Sequence, residues 1–305
     1  MRVEFVQAVN QVLAEDNRSC FITGDLGFRA LEGLAAAYGR RFLNAGVAEQ
    51  NMVGVAAGMA LSGFQPWVYS IASFATYRCL EQIRNDVCLL GLPVRIVGNG
   101  GGYTYGIMGS THHALEDIAV LKALPNLQLY FPCANDHVAQ AVQQIRRLEG
   151  PAYLRLSISP FATDYPVLAE NPTTLTRHYA KGNRWTIIGI GHGTQIVLEA
   201  LAKHNLAALD VDVFGVAKFP FDLEADDRLV GSVKRTRRVL TIEEHYLPGS
   251  ISESLKLALP DTEQFEVMCA RYTAEQRYGT SRFHLMQCGL TPEKVIERLE
   301  TSVES

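Results

Sequence analysis

The chain has 305 residues, of which 48% are hydrophobic and 20% are charged, and its formal net charge is −4. This composition excludes an intrinsically disordered protein, which needs low hydrophobicity and high net charge. The near-neutral charge gives no electrostatic support for binding nucleic acid or an anionic membrane. At roughly 150 residues per domain, the length predicts two domains.

The first 17 residues predict an ordinary helix rather than a signal peptide, because an acid stands at position 4 and no apolar core leads to a cleavage site. The longest uncharged stretch, 50–77, contains Gly63, Gln65 and Pro66, so no membrane-spanning helix is expected there. The six cysteines are scattered without a C-x-x-C pair. This spacing disfavours disulfides and zinc sites, and we expect buried thiols in a reducing cytoplasm.

Helix and strand signals alternate through the first half of the chain. Apolar periodicity predicts helices over 3–15, 48–62, 74–91, 113–124 and 136–149. Short apolar runs that end at turn residues predict strands over 20–23, 65–72, 93–98, 127–131 and 152–156. Strands separated by helices predict βαβ units, and therefore an α/β domain with a mostly parallel sheet.

A proline-rich segment interrupts this alternation, and we place the domain boundary there. The predicted division is a first domain over 1–160, a linker over 161–182 and a second domain over 183–305. Strands are predicted over 185–190, 211–216 and 239–242, and helices over 195–204, 250–259 and 290–300. The last helix has Thr291 as a candidate N-cap and Pro292 at its first position. The second domain is therefore also expected to be α/β.

Glu49 is the single acid in a predicted helix of small, apolar residues, 48–62. Its carboxylate is expected to be partly desolvated, which favours the neutral acid, and to lie near a positive helix end, which favours the anion. Two interpretations follow from the pattern alone. Glu49 either caps its own helix or serves as a functional acid.

Three segments carry a resemblance to a known family: NAGVAEQNMVGVAAGMALSGFQPWVYSIASFATYRCLEQIR, MGSTHHALEDIAVLKALPN and TIEEHYLPG. In this order they resemble transketolases, and the first resembles the pyrimidine-binding domain. The resemblance covers the C-terminal half of a full transketolase. The diphosphate-binding half is missing, because Gly24-Asp25-Leu26 lacks the Asn that completes the family's magnesium motif.

The resemblance implies one subunit of a split, thiamine-diphosphate-dependent transketolase. Its partner would be the N-terminal diphosphate-binding subunit, which would hold most of the contacts to Mg²⁺, in an α2β2 heterotetramer acting on small sugar substrates. Glu49 matches the glutamate that hydrogen-bonds the cofactor's aminopyrimidine, favouring the imino tautomer that removes the thiazolium proton. His112 matches an active-site histidine that handles substrate hydroxyls or proton transfer.

The resemblance also implies a cofactor-binding wall. Ile71, Phe74 and Tyr77 match the apolar and aromatic residues around the aminopyrimidine, and Asp25 matches an acid near the subunit seam. Plain core packing is the alternative interpretation for Phe74 and Tyr77. No metal ligand is expected in this chain, because the adjacent histidines at 112 and 113 rarely chelate one ion together.

The chain departs from the family pattern where transketolases bind sugar phosphates. Met108 replaces the acid of the D-G-x-T-H motif, Gly100 or its neighbour replaces a histidine, and Ile158 replaces an arginine. Methionine cannot bind a hydroxyl as an acid does, and isoleucine cannot bind phosphate. We therefore expect carbonyl substrates other than the usual pentose phosphates.

Several alternatives stay open at this stage. The chain could belong to a pyruvate- or 2-oxo-acid-using thiamine diphosphate enzyme, resembling 1-deoxyxylulose-5-phosphate synthase or a dehydrogenase beta subunit, or be a non-catalytic structural subunit. The run Gly189 to Thr194 after a strand also resembles part of a dinucleotide-binding fingerprint. Glu243-Glu244-His245 resembles a charged triad, for which a hydrogen-bonded strand end is the favoured interpretation.

Overall fold

The computed structural model describes residues 1–27, 30–158, 165–203, 209–272 and 277–301. Within these ranges the strands are β1 Ser19–Thr23, β2 Phe42–Asn44, β3 Gln65–Ile71, β4 Arg95–Asn99, β5 Gln128–Tyr130, β6 Ala152–Leu156, β7 Ala169–Asn171, β8 Thr176–Ala180, β9 Trp185–Ile190, β10 Val211–Val216, β11 Lys218–Phe219, β12 Arg238–Tyr246 and β13 Gln264–Ala270. The helices in the same ranges are α1 Arg2–Glu15, α2 Glu32–Tyr38, α3 Glu49–Leu61, α4 Ala72–Thr76, α5 Leu80–Gln82, α6 Asp117–Lys122, α7 His137–Ile145, α8 Gly193–Lys203, α9 Asp227–Thr236, α10 Ile251–Ala258, α11 Ser281–Gln287 and α12 Pro292–Thr301. No helix of this described part has the length and apolar character needed to cross a bilayer.

The first sheet has seven strands in the order β11-β5-β6-β4-β3-β1-β2. All neighbours are parallel except β11, which runs antiparallel to β5. Every residue of β1, β4 and β6 is buried, because helices cover both faces of a parallel sheet. Trp67 and Tyr69 face the cluster with α1 and α7, whereas Val68 faces the cluster with α3 and α6. The predicted parallel α/β architecture is confirmed.

The second sheet has six strands in the order β13-β12-β9-β10-β8-β7. The pairs from β13 to β10 are parallel, and β8 and β7 are added antiparallel. Helices α8 and α12 cover one face, with Val197 and Val295 in the apolar cluster. Thr291 Oγ1 accepts the Lys294 amide at 3.3 Å, as expected of an N-cap.

The predicted linker 161–182 is wrong in part, because β7 and β8 lie within it and belong to the second sheet. Strand β7 has three residues and, among the described strands, pairs only with β8, and β8 joins the sheet by pairing with β10, which lies about 30 residues further along the chain. Local apolar pattern therefore does not reveal them. Residues 159–164 lie outside the described residues. The other bounds, 1–160 and 183–305, stay predictions. The helix predicted over 74–91 is also broken, into α4, α5 and a π-helical turn, Ile83–Cys88.

A buried polar cluster joins the two sheets. Arg155, on β6, places Nε 3.0 Å from Asp117 Oδ2, and its Nη2 donates to the carbonyls of Ala114 and Glu244. The Glu244 carboxylate accepts the Tyr103 amide at 2.7 Å. Strand β12 of the second domain is thereby fastened to the loop between β4 and α6 of the first. This loop carries His112.

Candidate active site

Glu49 begins helix α3, and its side chain is only 2% exposed. Its Oε2 lies 2.7 Å from Nη1 of Arg78. Among the described residues, its Oε1 receives only a long contact, 3.4 Å from the hydroxyl of Ser70 at the end of β3. One carboxylate oxygen is thus anchored by a cation, and the other keeps most of its capacity to hydrogen-bond.

The turn after β1 lies against Glu49. A Cβ at Gly24 would stand 3.5 Å from Glu49 Cγ and 3.3 Å from Ser70 Oγ, so this turn leaves little space for a side chain. The next residue, Asp25, has a φ of +56° and is exposed. Its Oδ1 accepts the Asn44 side-chain amide at 2.9 Å. Asp25 therefore directly follows Gly24, the residue that packs against Glu49. The role of Asp25 toward the cofactor stays a prediction.

Phe74 and His112 lie in contact although they are far apart in the chain. Their ring centroids are 5.1 Å apart in an edge-on arrangement, and the guanidinium carbon of Arg78 lies 4.6 Å from the Phe74 centroid. The His112 ring is half-buried, and its Nδ1 is 3.0 Å from Thr111 Oγ1. The structure thus connects Glu49, Arg78, Phe74 and His112 in a continuous run of contacts.

The remaining wall residues follow the same segment. Ile71 ends β3 and is half-buried, as is Tyr77. The Tyr77 hydroxyl donates to Glu116 Oε2 at 2.8 Å and accepts the Glu116 amide at 3.1 Å. Burial, with the nearby carboxylates of Asp117 and Glu116, raises the pKa of Tyr77 far above its usual range. Tyr77 therefore stays a neutral hydroxyl that ties the wall to the start of α6.

The positions where the sequence departs from the transketolase pattern present apolar groups. Met108 is 51% exposed and Ile158 is 60% exposed. The Tyr105 ring packs beside Gly100, and its hydroxyl accepts the Asn99 side-chain amide at 2.6 Å. Arg155 is buried in the cluster that joins the domains, so it does not replace the arginine that is absent at position 158.

The second domain packs against this same loop. A Cβ at Gly106 would lie 2.7 Å from the Gly279 carbonyl and from the His284 ring. The rings of His113 and His284 are 4.8 Å apart, and burial, followed by the charge of His284, lowers the pKa of His113. His113 packs against His284, whereas its chain neighbour His112 packs against Phe74, so these two histidines have separate surroundings. Within the described ranges, no group of three or more potential ligands forms a metal site.

The other motifs have structural partners. The Gly189–Thr194 turn packs against neighbouring segments: the Gly191 amide donates to Val216 O at 2.8 Å, and the Gln195 side chain just after it donates to Cys133 O at 2.7 Å. Glu243 accepts the amides of Ile251 and Ser252 at the start of α10. These contacts support the structural interpretation of both motifs.

Arg78, Ser70, Glu116 and Tyr105 were not singled out from the sequence. All lie in or beside segments that carry the resemblance, yet nothing in their spacing connects them with Glu49 or His112. Arg78 and Glu49, for example, are 29 positions apart. Only the fold brings them together.

Comparison with known proteins identifies the family to which this site belongs. Residues 1–160, more than half of the chain, match the family described as "Transketolase, pyrimidine binding domain". The chain belongs to the transketolase family. The resemblance expected from the three sequence segments is confirmed, and so is the fold class.

This transketolase-family chain is similar to single subunits of divided enzymes. It is 30% identical to one subunit of the apulose-4-phosphate transketolase of Actinobacillus succinogenes over 216 residues, which cover 69% of this chain and 67% of the relative. It is 30% identical to the subunit of the same name from Phocaeicola vulgatus over 260 residues, or 82% and 80% of the two chains. A solved structure described as "Split gene transketolase, inactive beta4 tetramer" is 27% identical, with a TM-score of 0.84, and covers 98% of this chain and 97% of that one. These relatives support a transketolase-like transferase subunit.

The site fits the pyrimidine half of thiamine diphosphate, the cofactor that the family implies. The fit rests on a buried carboxylate with one weakly engaged oxygen, connected through Arg78 to Phe74 in the half-buried wall of Ile71, Phe74 and Tyr77. Glu49 would hold the ring nitrogen, and the wall would bind the flat ring. Among the described residues the donor set contains no cluster suited to Mg²⁺. The described residues therefore fit the pyrimidine half of the cofactor and not its diphosphate half.

Proposed function

We propose that this chain is the pyrimidine-binding subunit of a transketolase-like enzyme that transfers a two-carbon ketol unit to an aldehyde acceptor. The observation that carries the proposal is the buried Glu49 carboxylate, whose Oε1 is weakly engaged and whose Oε2 is linked through Arg78 and Phe74 to His112. A buried acid with spare hydrogen-bonding capacity in an aromatic-lined site is suited to proton transfer.

Each residue of the site has a proposed role. Glu49 holds the proton shared with the pyrimidine ring, and Ile71, Phe74 and Tyr77 orient that ring. Thiamine diphosphate, when bound, supplies the electron sink for cleaving and forming carbon–carbon bonds. His112, half-buried at the edge of Phe74, binds or moves the proton of a substrate hydroxyl. Asp25 lies at the rim, toward the expected subunit seam.

A partner chain would complete the site in an α2β2 heterotetramer. We propose that the N-terminal diphosphate-binding subunit supplies the Mg²⁺ ligands and most diphosphate contacts. Support comes from two relatives whose names each describe one subunit of a transketolase and from exposed apolar residues around α3, where Val55 is 40% and Leu61 67% exposed. The six unpaired cysteines support action in a reducing compartment such as the cytoplasm.

Calorimetric titration of thiamine diphosphate with Mg²⁺ tests the divided site. We expect no measurable binding by this chain alone and clear binding when it is mixed with the diphosphate-binding subunit encoded near its gene. Each subunit would hold only one half of the cofactor, and neither half alone would provide enough contacts. Tight binding by the isolated chain would contradict the divided site. Absence of binding in both cases would contradict the cofactor proposal itself.

The substrates are proposed to differ from the usual pentose phosphates. Met108 and Ile158 are exposed and uncharged at the positions where the family binds a sugar hydroxyl and a phosphate, so phosphate recognition by charge-assisted hydrogen bonds is lost there. We expect the assembled enzyme to turn over xylulose 5-phosphate with ribose 5-phosphate only weakly, and non-phosphorylated or differently anchored carbonyl substrates better. Vigorous turnover of the two pentose phosphates would contradict this expectation.

Product analysis in the same assays separates the alternative chemistry. Ketol transfer releases no carbon dioxide, whereas an enzyme that uses pyruvate or another 2-oxo acid as donor releases it. Carbon dioxide formed in step with the product would favour the alternative that resembles 1-deoxyxylulose-5-phosphate synthase or a dehydrogenase.

A further inference from the structure

Arg78 contacts the two parts of the candidate site at once. Its Nη1 lies 2.7 Å from Glu49 Oε2, and its guanidinium carbon lies 4.6 Å from the Phe74 ring centroid. The Arg78 side chain is 45% exposed, whereas that of Glu49 is 2% exposed. The arginine therefore reaches from the open side of the site to a carboxylate that solvent does not reach.

The chemistry of this contact favours a fixed geometry. A buried carboxylate requires a cation or several hydrogen bonds. Guanidinium is planar, remains charged and stacks on aromatic rings, so it pairs with a carboxylate in a more defined orientation than an ammonium does. Because Arg78 both stacks on Phe74 and binds Oε2, rotation of the Glu49 carboxylate would break the ion pair.

The two oxygens of Glu49 are thereby made unequal. Oε2 is anchored by Arg78, whereas Oε1 has the 3.4 Å contact with the Ser70 hydroxyl. A hydrogen bond of that length is weak and readily exchanged for a better partner. Oε1 is consequently the oxygen that remains for a ring nitrogen.

We propose that Arg78 is a positioning residue that anchors Oε2 of Glu49 and leaves Oε1 for the pyrimidine ring of thiamine diphosphate. This inference rests on the proposed function of Glu49. Arg78 also joins Glu49 to Phe74 and, through that ring, to His112. Its substitution therefore affects cofactor binding and the electronic state of the bound ring, beyond any effect on folding.

The ion pair is tested first in the isolated chain without cofactor. Thermal unfolding is measured for the wild type, Arg78→Met, Glu49→Gln and the double variant. We expect Arg78→Met to lower the melting temperature by about 2–4 °C in the wild-type background, and to lower it much less when Glu49 is already Gln. Equal shifts in both backgrounds would overturn the proposed coupling.

Positioning is tested in the enzyme assembled with its diphosphate-binding subunit. We expect Arg78→Met to weaken binding of thiamine diphosphate with Mg²⁺ by at least about tenfold. We also expect it to change the near-ultraviolet circular dichroism of the bound cofactor, which reports the tautomer of its ring. Arg78→Lys, which keeps the charge without the planar fork, should restore only part of the binding, because an ammonium holds Oε2 in a less defined orientation.

Arg84→Met is the matched control, because Arg84 is an exposed arginine in the next helical turns whose Nη1 bonds its neighbour Asn85 at 2.6 Å. It should leave both the affinity and the spectrum unchanged. If the wild-type assembly binds the cofactor and the Arg78→Met assembly has the same affinity and spectrum, the role of Arg78 is overturned but the proposed function is not. A wild-type assembly that binds no cofactor would overturn the proposed function and this inference together.

Discussion

Replacing Glu49 by glutamine is expected to lower turnover by the assembled enzyme at least about 100-fold, within the range of general acid–base catalysis. Glutamine keeps the size of the side chain and an oxygen acceptor, but it cannot hold or release the proton shared with the pyrimidine ring. The loss should appear in kcat, because the apolar wall still binds the ring. Steady-state turnover, cofactor titration and thermal unfolding of the same preparations measure these effects separately.

Glu81→Gln is a suitable control for this prediction. Glu81 is an exposed acid in α5, and its substitution should leave turnover unchanged. Turnover of Glu49→Gln within about threefold of the wild type would contradict a catalytic role. Such a result would favour the interpretation of this chain as a structural subunit.

Replacing Arg155 by methionine is expected to destabilise the chain by about 3–5 kcal/mol, because removal of one partner leaves the other buried charge unpaired. Arg155 is 5% exposed, and its partner Asp117 is fully buried at 3.0 Å. Burial acts to lower the pKa of Arg155, yet the Asp117 carboxylate holds it above its usual value. Urea unfolding monitored by fluorescence and by circular dichroism would measure the loss.

The same substitution should weaken the connection between the two domains, since Arg155 also binds the carbonyls of Ala114 and Glu244. We therefore expect the two spectroscopic transitions to separate. Arg147→Met, at an exposed position in the turn after α7, serves as the control and should change the stability by less than about 0.5 kcal/mol. A loss below about 1 kcal/mol for Arg155→Met would show that the ion pair contributes little.

Much of the fold could be predicted because the strands at the centre of each sheet carry their own signal. The segments that became β1, β3, β4, β6 and β9 are continuous apolar runs bounded by turns, as expected of strands covered on both faces. The short strands β7, β8 and β11 lacked such a signal. The positions of β8 and β11 depend on hydrogen bonding to distant strands, as when Lys218 pairs with Tyr130 across the domain boundary, and β7 is placed by pairing with β8.

The residues of the candidate site also fall into those that the sequence predicted and those that only the fold reveals. Glu49 stood out because it is one acid in an apolar helix, and His112 stood out through the family motif. The neighbours that define their chemistry could not be found, because Arg78 and Glu116 are ordinary surface-type residues until the fold buries or pairs them. Tyr77 illustrates this, since the sequence predicted a wall residue and the structure adds its hydrogen bonds to Glu116.

The sequence by itself determined the α/β class, the transketolase family and the residue types available for catalysis, because these depend on local periodicity and on short contiguous motifs. Only the tertiary structure decided which oxygen of Glu49 is anchored, which ring His112 touches and how the second domain fastens the loop around it. These features are distances between side chains far apart in sequence. They arise when strands pair and helices pack, and no local pattern encodes them.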